Sequence, residues 1–274
     1  MELAPYSVLM SVYYKEKPEY LREALHSMLS QTVPPSEILL VQDGPLTPEL
    51  ERVLDEEEAL NPGVFARVPL ERNMGLGNAL RIGVEKCRYE LIARMDTDDI
   101  ACPARCEKQL RAFAQDPGLD ICGTMIDEFE QSPDKVVSRR VLPCTHEEIL
   151  AFSKKRNPFN HMTVMFKKSA VLAAGNYQEV NLIEDYYLWV RMLLRGAKTC
   201  NLPESLVYAR VGAGMMERRG GLSYWKKIAA GRNKIRRTGY IGWGTYLQIL
   251  AVQFVFCIVP VSLREKLYHT FLRK

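Results

Sequence analysis

From Tyr6 to about residue 123, short apolar runs alternate with amphipathic ones, and this alternation restricts the chain more than any other feature. YSVLMSV, EILLVQDG, VFARVPL, ELIARMD and LDICGT read as strands. Between them, PEYLREALHSMLSQ, TPELERVLDEEEAL, LGNALRIGVEKC and CPARCEKQLRAFAQ read as helices; in the first, Leu21, Leu25, Met28 and Leu29 share one face. Strands alternating with helices predict an α/β fold with a parallel sheet and crossover helices. In such sheets ligands sit at the carboxyl ends of the strands, where the chain turns and helix N-termini point outward. Three of those ends carry telling residues: Tyr13, Asp43, and Asp96 with Asp98. They predict one functional rim on one sheet.

The second half is less regular. MIDEFEQ and KVVSRRVL read as an antiparallel pair, and NPFNHMTVMFKKSAVLAAGNY as loop, strand and short helix. LIEDYYLWVRMLLRGAK reads as an amphipathic helix with acids in its first turn. These patterns divide the chain into a domain over 1–215, with a regular first half (1–123) and a less regular second half (124–215), and a tail over 216–274. The tail is basic at YWKKIAAGRNKIRRTG and then apolar from Trp243 to Val261. That apolar length is near the roughly 20 residues of a membrane-spanning helix. Positive charge lies on both sides, however: Arg236 and Arg237 before it, Arg264, Lys266, Arg273 and Lys274 after it. Symmetric flanks fit a helical segment lying in an anionic leaflet better than one crossing it. A buried terminal helix or a dimer interface is the competing expectation.

A net charge of +4 is too small to argue for nucleic acid. The seven cysteines form no CxxC pair, and Cys102 and Cys106 lack the partners of a zinc site. Reduced, buried thiols in a cytoplasmic setting are the expectation. The N-terminus has no basic segment before its first apolar run, so no signal peptide is read.

The stretch LIARMDTDDIACP ends an apolar strand in Asp96, Asp98 and Asp99. Carboxylates held 5–6 Å apart repel by roughly 3 kcal/mol at an effective dielectric near 20, so a cation is expected there. Two acids spaced i, i+2 point to one side of an extended chain, and hard oxygen ligands suit Mg²⁺ or Mn²⁺. Mg²⁺ prefers one or two carboxylates plus substrate phosphates, which makes a nucleoside diphosphate the expected ligand. A solvated acidic turn is the plain alternative. Tyr13 can stack on a base, and Asp43 can accept a base N–H or cap the turn before Gly44. Asn73, Gly75 and Gly77 lead into a helix without the GxGxxG spacing of a dinucleotide fold.

Taken in order, SVLMSVYYKEKPEYLREALHSMLSQT, EILLVQDGP, RNMGLGNALRIG, ARMDTDDI, NPFNHMTVMFKKSAV and EDYYLWVRML resemble the family-2 glycosyltransferases of the GT-A fold, over about residues 6–210. The similarity is to the bacterial exopolysaccharide and O-antigen type, including those of amylovoran biosynthesis. The resemblance implies a nucleotide-diphosphate sugar donor, a UDP-sugar first of all. It also implies a divalent metal, inversion at the anomeric carbon, and a polyprenyl-diphosphate-linked saccharide acceptor at the cytoplasmic leaflet. Tyr13 then matches the base-stacking aromatic, and Asp43 the acid that reads the uracil edge. Asp98 matches the metal ligand and Asp96 the ribose or donor-sugar contact, with Asp99 open to either role. Asp185 matches the general base, with Glu184 beside it. Asn73 and His161 join the substrate contacts, although a structural histidine fits His161 equally well.

Arg81 stands where the family often has Asn, which leaves that position open, with a phosphate contact one option. Arg191, Arg210, Arg218 and Arg219 are further candidates for phosphate, the last two in RVGAGMMERRGG, which reads as a loop able to close over the donor. The Gln-x-x-Arg-Trp motif of processive synthases is absent, so one sugar per acceptor is expected. Two rival readings are a sugar nucleotidylyltransferase, against which SVYYKEKPEY argues, and a catalytically silent scaffold, against which Asp98 and Asp185 argue.

Overall fold

Alternate residues of the first strand are buried on opposite faces: Val8 and Met10 pack into one apolar cluster, Leu9 into another. A strand covered on both sides must be apolar throughout, which is why YSVLMSV shows no polar alternation. The computed structural model describes residues 3–180, 182–212, 220–260 and 264. Its strands are β1 (Tyr6–Val12), β2 (Glu37–Gln42), β3 (Phe65–Pro69), β4 (Leu91–Arg94), β5 (Ile100–Ala101), β6 (Leu119–Phe129), β7 (Val136–Arg140), β8 (Met165–Lys167) and β9 (Lys198–Arg210). Its helices are α1 (Pro18–Leu29), α2 (Pro48–Leu60), α3 (Leu76–Lys86), α4 (Arg105–Gln115), α5 (His146–Ser153), α6 (Lys168–Ala173), α7 (Glu184–Leu194), α8 (Gly221–Arg237) and α9 (Trp243–Ile258).

One sheet runs in the order β3-β2-β1-β4-β8-β6-β9-β5, with β7 paired to β6. The first four are parallel, as the alternation predicts. Beyond β4 the sheet becomes mixed. β8 lies antiparallel between β4 and β6, so β6 keeps the direction of β4 without touching it. β6 pairs parallel with β9 and antiparallel with β7. LDICGT and MIDEFEQ form one continuous strand, so residues on both sides of position 123 share a single sheet.

Helices α1, α2 and α4 cover one face of the sheet, and α3, α6 and α7 the other, where Trp189 of α7 is fully buried. A third apolar cluster joins α7 to α8 and α9. Thr47 caps α2, and Thr145 with Glu148 forms a reciprocal capping box that starts α5. Three elements escape the sequence pattern: the short α5, β9 and β5. Pro203 and Glu204 interrupt the β9 run, and the register jumps there from Leu202 opposite Thr124 to Ser205 opposite Met125. A proline in a run ordinarily argues against a strand, but a bulge accommodates it. The β5 strand is only two residues long.

α3 approaches the sheet so closely that a Cβ on Gly83 would lie 2.4 Å from Leu9 Cδ1 and 3.0 Å from Val41 Cγ2. Gly83→Val should therefore overpack this contact and cost about 1–3 kcal/mol. Chemical denaturation checks it; an unchanged midpoint would contradict the packing.

Candidate active site

β4 ends at Arg94, and the chain then bends through residues 97–98 before β5. The acids are thus not placed by an extended strand, as the i, i+2 argument supposes. They are gathered by a turn, which brings one oxygen each of Asp96, Asp98 and Asp99 within 4.8 Å of one another. The neighbouring chain fixes the turn. Asp99 Oδ1 accepts the Arg210 N–H at 2.8 Å, and the Asp98 carbonyl accepts Arg210 Nε at 3.0 Å. Thr97 donates to Glu16 at 2.6 Å.

Burial pushes the Asp98 carboxyl up to about 7, and Asp96 and Glu16 add like charge. Asp99 is pushed well above the usual carboxylate range by burial, then by Asp96 and Asp98. Its Oδ2 is buried with no hydrogen-bond partner. Carboxylates held together against both desolvation and repulsion, with an unsatisfied oxygen among them, fit a hard divalent cation. Asp98 and Asp99 Oδ2 are the donors that would hold it.

A buried cation lies directly against this cluster: Arg94, which is 2% exposed and donates through Nη2 to Asp96. Sequence reasoning missed it. Arg94 also lies near enough to Glu184 and Asp185 to oppose the rise of their carboxyls, so it stands between the two acid groups.

A cleft of about 460 Å³ opens over the rim, lined by Ser11, Tyr13, Glu16, Asp43, Asn73, Gly75, Leu76, Asp96, Thr97 and Asp98. It brings together five of the predicted residues. Tyr13 presents an exposed ring, 41% accessible. Asp43 is buried and ties the glycine loop down: Oδ1 accepts the Met74 N–H at 2.6 Å and Oδ2 the Gly75 N–H at 3.0 Å. Asn73 Nδ2 donates to the Asp43 carbonyl at 3.2 Å. Gly44 and Gly75, with φ of 88° and 82°, supply the left-handed turns that this loop requires. A smaller cavity of about 170 Å³ shares Gly75 and Leu76 with the cleft and ends at Glu184.

Glu184 and Asp185 open α7. Glu184 is pushed up to about 7, first by burial, then by Asp185, with Asp96 adding to it across the site. Asp185 is also raised by burial, more than the Tyr186 N–H, Asn157, Arg94 and Arg140 pull it down. The positive helix end therefore does not set its protonation alone. Asn157 Nδ2 holds Asp185 Oδ2 at 2.6 Å and is a second residue missed, although NPFNH was read as a loop of interest.

His161 lies behind this rim and lines neither cavity. Its Nε2 is 2.8 Å from the Tyr177 hydroxyl, it packs beside Trp189, and burial, then Arg94, holds it well below the usual histidine range. Three expected phosphate contacts are otherwise engaged. Arg191 donates to the carbonyls of Ala174 and Asn176 at 2.5 and 2.7 Å. Arg210 is bound to Asp98 and to Glu23. Arg81 pairs with Glu85 at 3.5 Å on α3 and lines neither cavity. Arg218 and Arg219, and most of the loop that carries them, lie outside the described residues.

Two measurements test this geometry. Replacing Arg94 by Met should strand Asp96 and destabilise the protein by about 3 kcal/mol, the lower end for breaking a buried pair, because Asp96 is partly exposed. An unshifted denaturation midpoint would contradict the pairing. A carboxyl raised from 3.8 to about 7 contributes stability below pH 3.8 and loses it as pH rises through 7. Asp98→Asn should therefore raise the melting temperature of metal-free protein at pH 8, with the gain shrinking toward pH 5. A gain largest at pH 5 would contradict the burial.

Comparison with known proteins identifies the family. The model of "Glycosyl transferase family 2" matches residues 7–174. An uncharacterized glycosyltransferase of Haemophilus influenzae is 44% identical, over 98% of this chain and 99% of its own. The amylovoran biosynthesis glycosyltransferase AmsE of Erwinia amylovora is 40% identical over 96% and 97%. The UDP-Gal:alpha-D-GlcNAc-diphosphoundecaprenol beta-1,3-galactosyltransferase of Escherichia coli is 35% identical over 98% and 97%. Among solved structures, a mannosyltransferase of Pyrobaculum calidifontis in complex with GDP-Man and Mn²⁺ superposes with a TM-score of 0.65, over 98% of this chain and 78% of its own, at 16% identity. That likeness shows the GT-A type of fold. With a family model spanning more than half of its length and relatives aligned nearly end to end, the chain belongs to glycosyl transferase family 2 and is a glycosyltransferase.

Proposed function

We propose that the protein transfers one sugar, with inversion and with the help of Mg²⁺ or Mn²⁺, from a UDP-sugar to a polyprenyl-diphosphate-linked saccharide in bacterial exopolysaccharide or O-antigen assembly. The observation that supports this reading is a pair of acid groups at two adjoining cavities: Asp96 and Asp98 line the cleft, Glu184 ends the smaller cavity that shares Gly75 and Leu76 with it, and Arg94 is near enough to act on both groups. Two aligned relatives, one named for amylovoran biosynthesis and one for transfer to a diphosphoundecaprenol-linked sugar, support the acceptor class. The enzyme would work at the cytoplasmic face of the inner membrane, held there peripherally.

In this mechanism Tyr13 offers its ring to the base, and Asp43 accepts a base N–H with lone pairs left over from the glycine loop. Asn73 keeps that loop against the base site. Asp96 has one oxygen on Arg94 and turns the other toward the ribose or donor sugar. A divalent ion held by Asp98 would supply charge stabilisation for the departing diphosphate. Asp185, oriented by Asn157, takes the proton of the acceptor hydroxyl as that hydroxyl attacks the anomeric carbon from the face opposite the leaving group. Burial raises the Asp185 carboxyl and so makes it a stronger base than a solvated one. Glu184 is placed to accept from a sugar hydroxyl beside it. His161, neutral and bonded to Tyr177, would act from behind Arg94, shaping the donor-sugar floor.

A panel of nucleotide sugars with Mn²⁺ or Mg²⁺, scored by nucleotide release, tests the proposal. Asp185→Asn should lower kcat by about 10²–10⁴-fold, the usual worth of a general base. It should leave donor KM nearly unchanged. Asp98→Ala should abolish metal-dependent release. Comparable release from wild type and Asp98→Ala would remove the metal from the mechanism, and pyrophosphate in place of UDP would favour nucleotidyl transfer.

A further inference from the structure

α9 carries no charged residue from Trp243 to Ile258, yet it is not buried. Only Ile249 and Cys257 are covered. Trp243, Leu247, Val252, Val255 and Ile258 are each more than half exposed, and Phe254 lies beside them. At helical spacing these residues form one broad stripe, where a helix packed on a water-soluble domain would present polar side chains. A contiguous apolar face of this kind marks a docking surface.

Its neighbour α8 is the electrostatic complement. Lys226, Lys227, Lys234, Arg236 and Arg237 share this helix with no acidic residue. Trp225 Nε1 donates to the Leu250 carbonyl at 3.1 Å, and its ring meets Phe254 edge-on, so the two helices move as one unit. At their junction the Arg236 guanidinium stacks 3.9 Å from the Trp243 ring. A basic residue on a half-exposed indole, at the edge of an apolar stripe, matches the chemistry of a membrane–water interface.

We infer that the exposed stripe of α9, flanked by the basic helix α8, docks on an anionic lipid leaflet, with α9 lying in the plane of the interface. No described helix is long and apolar enough to cross a membrane. α9 would extend only about 24 Å at 1.5 Å per residue, short of the roughly 30 Å of a hydrocarbon core. A second copy of the chain is the poorer occupant, because a two-fold contact through this face would bring two basic helices together. Each exposed lysine or arginine instead gains about 1 kcal/mol near an anionic surface.

The surface is firmly connected to the site. Ile228 and Ile235 of α8 pack with Val180, Ile183, Tyr186 and Val190. Lys234 Nζ donates to the Glu179 carbonyl at 2.8 Å, and Glu179 lines the cavity that ends at Glu184. Docking through α9 therefore sets the height of the Glu184–Asp185 end above the leaflet. Only this purpose rests on the proposed lipid-linked acceptor; binding to lipid is a separate property with its own test.

Flotation of the full chain with phosphatidylcholine vesicles, with or without phosphatidylglycerol, is the experiment. Wild type should float with the anionic vesicles and fall back at high salt. Leu247→Glu with Val255→Glu should reduce flotation by about tenfold or more, as expected when a charge enters the apolar face. Lys226→Glu with Lys227→Glu should erase the preference for anionic vesicles. Both variants should keep their melting temperature and their donor hydrolysis. Wild type that stays unbound overturns the inference. So does a Leu247/Val255 variant that floats like wild type, or one that only turns a dimer into a monomer. Loss of donor hydrolysis by wild type would count against the transferase reading and leave the lipid result standing.

Discussion

The site depends on one electrostatic constraint: three carboxylates gathered at the end of a buried strand, with the buried Arg94 guanidinium paired to one of them. Arg94 is placed by β4, and its carbonyl is held in turn by Arg105 Nη2 at 2.6 Å. It neutralises part of the Asp96 charge and leaves Asp98 and Asp99 short of a countercharge. Burial, then the neighbouring like charge, raises their carboxyls, and Arg94 opposes that rise only in part. An incoming cation would bring them back toward ordinary acidity. The fold thus builds a place whose stability improves when a divalent ion arrives.

Everything around the cluster serves to hold it open on one side. The parallel half of the sheet aligns the ends of β1, β2 and β4, so Tyr13, Asp43 and Asp96 share a rim. The antiparallel insertion of β8 then brings the NPFNH loop and α7 to the same rim, where Asn157 orients Asp185. Two halves with different strand directions meet at one rim, where the cleft and the smaller cavity share Gly75 and Leu76. The paired helices α8 and α9 pack on α7, so the Glu184–Asp185 end carries the apolar stripe as well.

Much of this could be read from residues alone. Apart from the two-residue β5, strand and helix positions through α4 followed from hydrophobic period, because strands buried on both faces leave unbroken apolar runs. The Asp-x-Asp and the ED pair stood out as acids where the pattern turned. What escaped has physical causes. β9 was hidden by Pro203, which a bulge absorbs. α5 was short, though the spacing of Thr145 and Glu148 announced its capping box. Arg94 looked like a strand residue, because nothing local tells whether a guanidinium at a strand end faces water or an acid two residues on. Arg191 and Arg210 were read as free cations, when backbone carbonyls and acids distant in sequence engage them. Local spacing reports which chemistry is present; it does not report which partners tertiary packing brings.

The most direct test of the central claim is a Mn²⁺ titration followed by electron paramagnetic resonance, with and without UDP. The account predicts one bound ion whose affinity rises when UDP is present, and whose signal disappears in Asp98→Ala while that variant stays folded. Equal Mn²⁺ binding by wild type and Asp98→Ala, indifferent to UDP, would contradict it.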